Sequence, residues 1–329
     1  MTIDQTRLPN RLVYLRLRDC HGVAEAISSM KIRGAPLIGA AAGYGLALAA
    51  FHSRASSKEE FLDEIVDCAG VLRGTRPTGV NLFWAVDRIV SKVKVSAASV
   101  KELKALVVSE AELIADEDVE VNRVIGENGS RLIRDGDTVL THCNAGALAT
   151  VDYGTALGVV RACWEGGRRI RVIATETRPR LQGARLTAFE LKGLGVPFCL
   201  ITDSMVGYVM SKGLVNLVVV GADRIVRDGV ANKIGTYSVA VLAHEHNVPF
   251  YVAAPLSTFD LGHSVGDVVV EERGADEVTC FAGSRVAPVG TEVLNPAFDV
   301  TPMRYVTGVI CEKGVFGPRK IALMARGQC

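Results

Sequence analysis

Residues 138–146 read TVLTHCNAG, a short strand-forming run that stops abruptly at a thiol, an amide and a glycine. The same kind of run recurs downstream at Arg171–Ala174 (RVIA), Pro197–Ile201 (PFCLI), Leu217–Val220 (LVVV) and Pro249–Ala253 (PFYVA). Gly308–Cys311 makes a sixth. Between the runs lie segments of helical pattern: Tyr153–Glu165, Arg185–Leu194, Met205–Lys212 and Gly235–His246. Strand and helix alternating at this rhythm predict a parallel sheet covered on both faces, and uninterrupted apolar strands are what two-sided burial demands.

Upstream the pattern differs. Val23–Met30, Ala40–Phe51, Lys58–Leu72, Asn81–Val93 and Val100–Ile125 read as helices, and Leu12–Leu17 alternates like a short strand. The polar segment Glu127–Asp137 marks the change. The expectation is an α/β protein of two parts, a mainly helical domain over 1–126 and a sheet domain over 127–329.

Half of the 329 residues are hydrophobic and net charge is +1. That supplies a large core and leaves no global field to attract nucleic acid or an anionic membrane. The N-terminus lacks the apolar segment of a signal peptide. Gly34–Phe51 carries no charge over 18 residues, close to a membrane span, but it consists largely of alanine and glycine. It reads as an internal helix starting near Pro36. The eight cysteines form no CxxC and no zinc spacing, so reduced thiols in the cytosol are expected.

In open parallel sheets ligands bind at the carboxyl ends of the strands. There the chain places Cys143-Asn144-Ala145-Gly146, then Glu176 to Gly183, Thr202-Asp203-Ser204, Gly221-Ala222-Asp223-Arg224 and Pro255-Leu256-Ser257. Cys143 near a helix start or a cation would have a lowered pKa and act as base or nucleophile; as a bland alternative it is a buried small hydrophobe. Asp223 at a buried strand tip would have a raised pKa and donate a proton, or else cap a turn or pair with Arg224. Arg33-Gly34-Ala35-Pro36, Arg76 in the 74–78 turn, and Asn232-Lys233 before a helix suit a small anion. No GxxxxGK[ST] exists, and Gly43-Tyr44-Gly45 lies within a helix, so no nucleotide cofactor is indicated. His142 reads as structural, since neighbours on a strand face opposite ways.

These motifs carry a resemblance. RGAPLIGAAAGYG, RPTGVNLFWAVDR, THCNAGALAT, ETRPRLQGARLTAFEL, GADRI, ANKIGTYSVAVLA and PFYVAAPLSTFD follow one another over nearly the whole chain. The sequence resembles the methylthioribose-1-phosphate isomerases, relatives of the α, β and δ subunits of initiation factor 2B and of ribose-1,5-bisphosphate isomerase. The resemblance implies a helical N-terminal domain, a Rossmann-like C-terminal domain, a homodimer, and a sugar-phosphate isomerase of methionine salvage that uses neither metal nor organic cofactor. It implies catalysis by Cys143 and Asp223. It implies substrate contacts from Arg33, Gly34, Ala35, Arg76, Gln182, Asn232 and Lys233. The chain departs from the common pattern at Leu37, at Ser204, and in Val226–Val230, which is one residue short. Two alternatives keep the fold: an isomerase of another sugar 1-phosphate, such as 5-deoxyribose 1-phosphate or ribose 1,5-bisphosphate, and a non-catalytic regulatory subunit.

Overall fold

The computed structural model describes residues 1–76 and 79–325. Pro77 and Thr78 of the 74–78 turn, and Cys329, lie outside the described residues. A two-strand ribbon, β1 (Thr2–Ile3) with β2 (Tyr14–Leu15), precedes five helices: α1 (Cys20–Ser28), α2 (Ala35–His52), α3 (Lys58–Arg73), α4 (Val80–Val95) and α5 (Val100–Ser130). Local chemistry fixes several starts. Ser57 caps α3 by accepting from Glu60 N, and Ser99 and Glu102 form a reciprocal capping box on α5. Pro36 stands in the first turn of α2, where its missing N–H costs nothing. Among the described residues α2 alone is long and apolar enough to cross a membrane, yet more than half of it is buried, packed against α1, α3, α4 and α5.

The remainder is built on a seven-stranded sheet. Its strands are β3 (Thr138–Thr141), β4 (Arg171–Thr175), β5 (Phe198–Ile201), β6 (Leu217–Val220), β9 (Phe250–Ala253), β13 (Gly308–Cys311) and β14 (Gly314–Phe316). A second, three-stranded sheet holds β7 (Arg224–Val226), β8 (Gly229–Lys233) and β12 (Phe298–Pro302); β10 (Cys280–Phe281) and β11 (Ser284–Arg285) form a small hairpin. The helices are α6 (Ala156–Glu165), α7 (Ala188–Leu194), α8 (Val206–Ser211), α9 (Thr236–Glu245), α10 (Asp276–Thr279) and α11 (Pro318–Met324). The large sheet runs β14-β13-β9-β6-β3-β4-β5, parallel throughout except for β14. Alternate residues face opposite cores. Val139, Val172, Leu217 and Val219 pack with α5, α6 and α7, while Leu140, Ile173, Val218 and Val220 pack with α8, α9 and α11.

All six expected strands form. The short β7, β8 and β12 escaped the sequence reading because they carry polar residues and lie beside the main layer. Two further expectations change. The PFCLI run was expected to be buried on both sides, but β5 is the sheet edge and leaves Cys199 and Leu200 exposed. The reduced-thiol expectation fails for one pair: Cys20 on α1 and Cys68 on α3 are joined as a disulfide, Cα atoms 6.4 Å apart. Both helices pack on α2, which brings together cysteines 48 residues apart that no local spacing connects. The Glu127–Asp137 segment, expected as the boundary, begins inside α5, whose last turns lie against α6.

Candidate active site

Strand order reverses between β3 and β6. From β3 the chain proceeds outward to β4 and β5; from β6 it proceeds the other way to β9 and β13. At such a switch point the loops diverge and leave a crevice. Cys143 leaves β3 on one side of it and Asp223 leaves β6 on the other. A partly open cleft lies there, and all nine expected residues line it: Cys143, Asp223, Arg33, Gly34, Ala35, Arg76, Gln182, Asn232 and Lys233.

Each is delivered by a definable feature. Gly34 opens α2 at φ 97°, and a Cβ there would lie 2.5 Å from Ala149 backbone atoms, so only glycine lets the two segments meet. No side chain caps α2, and its first residues face the cleft, a setting that favours an anion. Asn232 and Lys233 end β8, paired with Asp299 and Phe298 of β12. Lys233 Nζ donates to Ala297 O at 2.7 Å and stands over the Phe298 ring. Gln182 precedes a π-helical turn, 183–187, that leads into α7. Bonding from i to i+5 stacks residues five apart, so Gln182 and Thr187 share a face that an ordinary α-helix would split by about 140°. The helical reading of 185–194 missed this widened turn.

Cys143 is held by its backbone. Its φ is 66°, unusual for a residue with a Cβ. Its N–H donates to Thr177 Oγ1 at 2.8 Å, and its carbonyl accepts from Thr187 Oγ1 at 2.6 Å. Asp203 in turn accepts from the N–H groups of Thr177 and Arg178. His142 is buried in the wall of the cleft, between Thr175 Oγ1 at 2.7 Å and Ile234 O at 2.8 Å. A carbonyl only accepts, so Nε2 carries the proton and Nδ1 accepts from the threonine. Burial lowers the His142 pKa, which keeps this neutral tautomer. His142 is thus a support, as the sequence suggested.

The electrostatics depart from expectation at one point. Burial pushes the Cys143 thiol up, and the pull of Arg33 and Lys233 does not offset it. The lowered thiol expected from sequence is therefore corrected: desolvation outweighs the cations. Asp223 is raised by burial, as expected, against the opposing pull of Lys233, Arg76 and Arg33. Lys233 is lowered by burial. Two polar atoms of lining residues are buried without a partner, Arg76 Nε and Gln182 Oε1. One is a donor and one an acceptor, and a buried unpaired group of either kind is costly unless a ligand or water meets it. Among the described residues no three His, Cys, Asp or Glu side chains converge to hold a metal.

The sequence reading missed the supporting residues. Arg33 is fixed by Gln5 Oε1 at 3.0 Å from its Nε and by the Asn144 carbonyl at 3.0 Å, and it also meets Asn144 Oδ1. Arg76 pairs with Glu271 at 3.4 Å. Asp299 accepts from Gly235 N and Tyr237 N at the start of α9, and burial raises its pKa to about 6. Asn144 alone had a signal, as the neighbour of Cys143; Gln5 and Glu271 are distant in sequence and carry none.

Residues 31–318 match the model of the initiation factor 2 subunit family, IF-2B. A methylthioribose-1-phosphate isomerase from Geotalea uraniireducens is 55% identical over 95% of this chain and 91% of its own length. The crystal structure of 5-methylthioribose 1-phosphate isomerase from Pyrococcus horikoshii OT3 superposes with a TM-score of 0.90 at 47% identity, covering 99% of this chain and 92% of that one. A structure described as the delta subunit of translation initiation factor eIF-2B from A. fulgidus gives 0.87 at 51% identity, covering 98% and 95%. The chain belongs to the IF-2B family, within the group of its members named methylthioribose-1-phosphate isomerase.

Proposed function

We propose that the chain is an aldose–ketose isomerase that converts 5-methylthioribose 1-phosphate to 5-methylthioribulose 1-phosphate in methionine salvage. The observation that carries the reading is the meeting of Cys143 and Asp223 at the sheet's switch point, among Arg33, Arg76 and Lys233. A regulatory subunit has no need of a buried thiol and a carboxyl facing one cleft.

The substrate's anomeric oxygen carries phosphate, so the ring opens only if O4 receives a proton. Asp223, with its raised pKa, is the donor. The C2 hydrogen then passes to C1, and O2 gives up its proton as it becomes the carbonyl, so one proton enters at O4 and one leaves from O2. Cys143 lies where this transfer takes place, as a base for the C2 proton or beside a direct hydride shift. The raised thiol is protonated at rest, so the first route needs a prior proton loss and the second does not. Arg33, Arg76 and Lys233 balance the phosphate charge, with Gln182, Asn232 and the Gly34–Ala35 backbone orienting the sugar.

The test is turnover of purified protein on methylthioribose 1-phosphate, 5-deoxyribose 1-phosphate and ribose 1,5-bisphosphate, compared as kcat/KM. Highest kcat/KM on the methylthio sugar supports the reading; no turnover on any of the three overturns it. Deuterium at substrate C2, followed in ordinary water, separates the routes: retention at C1 marks a hydride shift, and washout marks a proton transfer. The same reading includes a division at 126/127, a homodimer and a cytoplasmic setting. The dimer is supported by the uncovered edge strand β5 and the segment after it, which expose Leu200, Met205 and Tyr208.

A further inference from the structure

Glu190 lies on α7, one turn beyond Thr187, and its side chain points into the protein behind the cleft. Its Oε1 accepts from Asn144 Nδ2 at 2.8 Å and from Leu148 N at 3.3 Å, and its Oε2 accepts from Ala147 N at 2.7 Å. Burial raises this carboxyl, while three N–H donors and the nearby Arg33 favour its charged form. A carboxylate that accepts three N–H groups and donates none is acting as an anion in this network. The three donors span residues 144–148, the loop that leaves Cys143. Asn144, held by Glu190 through its amide nitrogen, turns its amide oxygen and its carbonyl to Arg33. One helix face therefore fixes the cleft three ways. Thr187 holds the Cys143 carbonyl, Glu190 holds the following loop, and Asn144 relays that hold to the guanidinium.

We propose that Glu190 is a positioning residue for the isomerase reaction: through Asn144 and the 147–148 backbone it locks the Cys143 loop and the Arg33 guanidinium into one arrangement. Glu190 is not among the residues that line the cleft, so its effect passes through its partners. The inference rests on the isomerase reading for its kinetic test, and a second readout is independent of turnover.

Glu190→Gln keeps the shape and removes the charge. One of its terminal atoms becomes a donor facing an N–H group, so at least one of the three bonds is lost. Loss of a hydrogen bond to a charged group corresponds to roughly 10- to 100-fold in kcat/KM. Glu190→Asp keeps the charge and shortens the reach, and is expected to lose rate as well. The second readout is alkylation of Cys143 by iodoacetamide without substrate, followed by peptide mass spectrometry against pH. The charged groups acting on Cys143 are Arg33, Lys233 and Asp223, and Glu190 acts on Arg33. Removing the Glu190 charge leaves Arg33 less balanced, so the alkylation midpoint should fall in Glu190→Gln and stay near wild type in Glu190→Asp. Thermal melting separates a folding defect from a positioning one. Either variant folded and turning over at the wild-type rate, with the Glu190→Gln midpoint unmoved, overturns the proposal. A wild type inactive on all three sugars would instead sink the isomerase reading and leave the alkylation result to stand alone.

Discussion

The helical part and the cleft bury opposite materials. Around α2 the interior is Phe61, Ile65, Leu72, Leu82, Ile89 and Leu103, all fully buried. At the carboxyl ends of β3 and β6 the buried residues are Arg33, His142, Asn144, Gln182, Asn232 and Lys233. Apolar burial drives folding, whereas burying charges opposes it unless partners compensate. The difference separates the part selected for packing from the part selected for chemistry. It also shows that the separation is not by sequence half, since Arg33 and Arg76 reach the cleft from the helical part.

The comparison breaks most sharply at the proposed catalytic pair. Cys143→Ser and Asp223→Asn should each lower kcat by roughly 10²–10⁴-fold, the range of a lost general acid or base. Substrate binding, read by calorimetry, should stay near wild type because the cationic contacts remain. Melting temperature should stay near wild type, since each replacement keeps nearly the same shape and leaves the surrounding packing in place. Near-normal kcat in either variant would remove that residue from its assigned role.

On the packing side, α2 offers an internal control. A Cβ at Gly39 would meet the Asn81 carbonyl oxygen at 2.8 Å, while one at Gly43 would sit 3.6 Å from Ile89 Cδ1, an ordinary contact. Gly39→Ala must push α4 away, at a cost of about 1–3 kcal/mol. Asn81 also donates to Ser257 Oγ at 2.9 Å, so the push reaches the loop after β9. Gly43→Ala should stabilise by about 0.5–1 kcal/mol, the helix gain of alanine over glycine. Urea denaturation of the two variants reads the difference. Equal effects would mean that α2 packs less closely than its neighbours indicate.

The same contrast explains what could be read from sequence. Strands such as Leu217–Val220 and Gly308–Cys311 were legible to the residue because two-sided burial writes itself as an unbroken apolar run. The fold class and the strand-end position of Cys143 and Asp223 followed from that pattern; the expected substrate-binding residues required the family resemblance. What was illegible depended on contacts between distant segments. The Cys20–Cys68 link, the Gln5 and Glu271 contacts to the two arginines, and the clamp by Glu190 join residues far apart. The Cys143 pKa was read in the wrong direction because cations are visible in a sequence and desolvation is not. The π turn at 183–187 has no periodic signature of its own.

A pH-dependent effect lies at the seam, where Asp118 of α5 accepts from Val151 N at 2.7 Å in the loop after β3. Burial lifts this carboxyl from 3.8 to about 6. The folded chain therefore holds the proton more tightly than the unfolded chain. The contribution to stability is full below about 3.8, declines as pH rises, and is lost above about 6. Asp118→Asn keeps an oxygen for Val151 and never ionises, so it should be more stable than wild type at pH 7.5. That advantage should shrink toward pH 4.5, where most folded Asp118 is already protonated. Denaturant midpoints at the two pH values read the change. A constant advantage would mean that the carboxyl is not desolvated as its position indicates. A wild type more stable at pH 7.5 would mean that the bond to Val151 outweighs the burial. In either case the seam would belong with the well-compensated polar groups rather than with the carboxyl across the cleft, Asp223, whose raised pKa is attributed to the same cause.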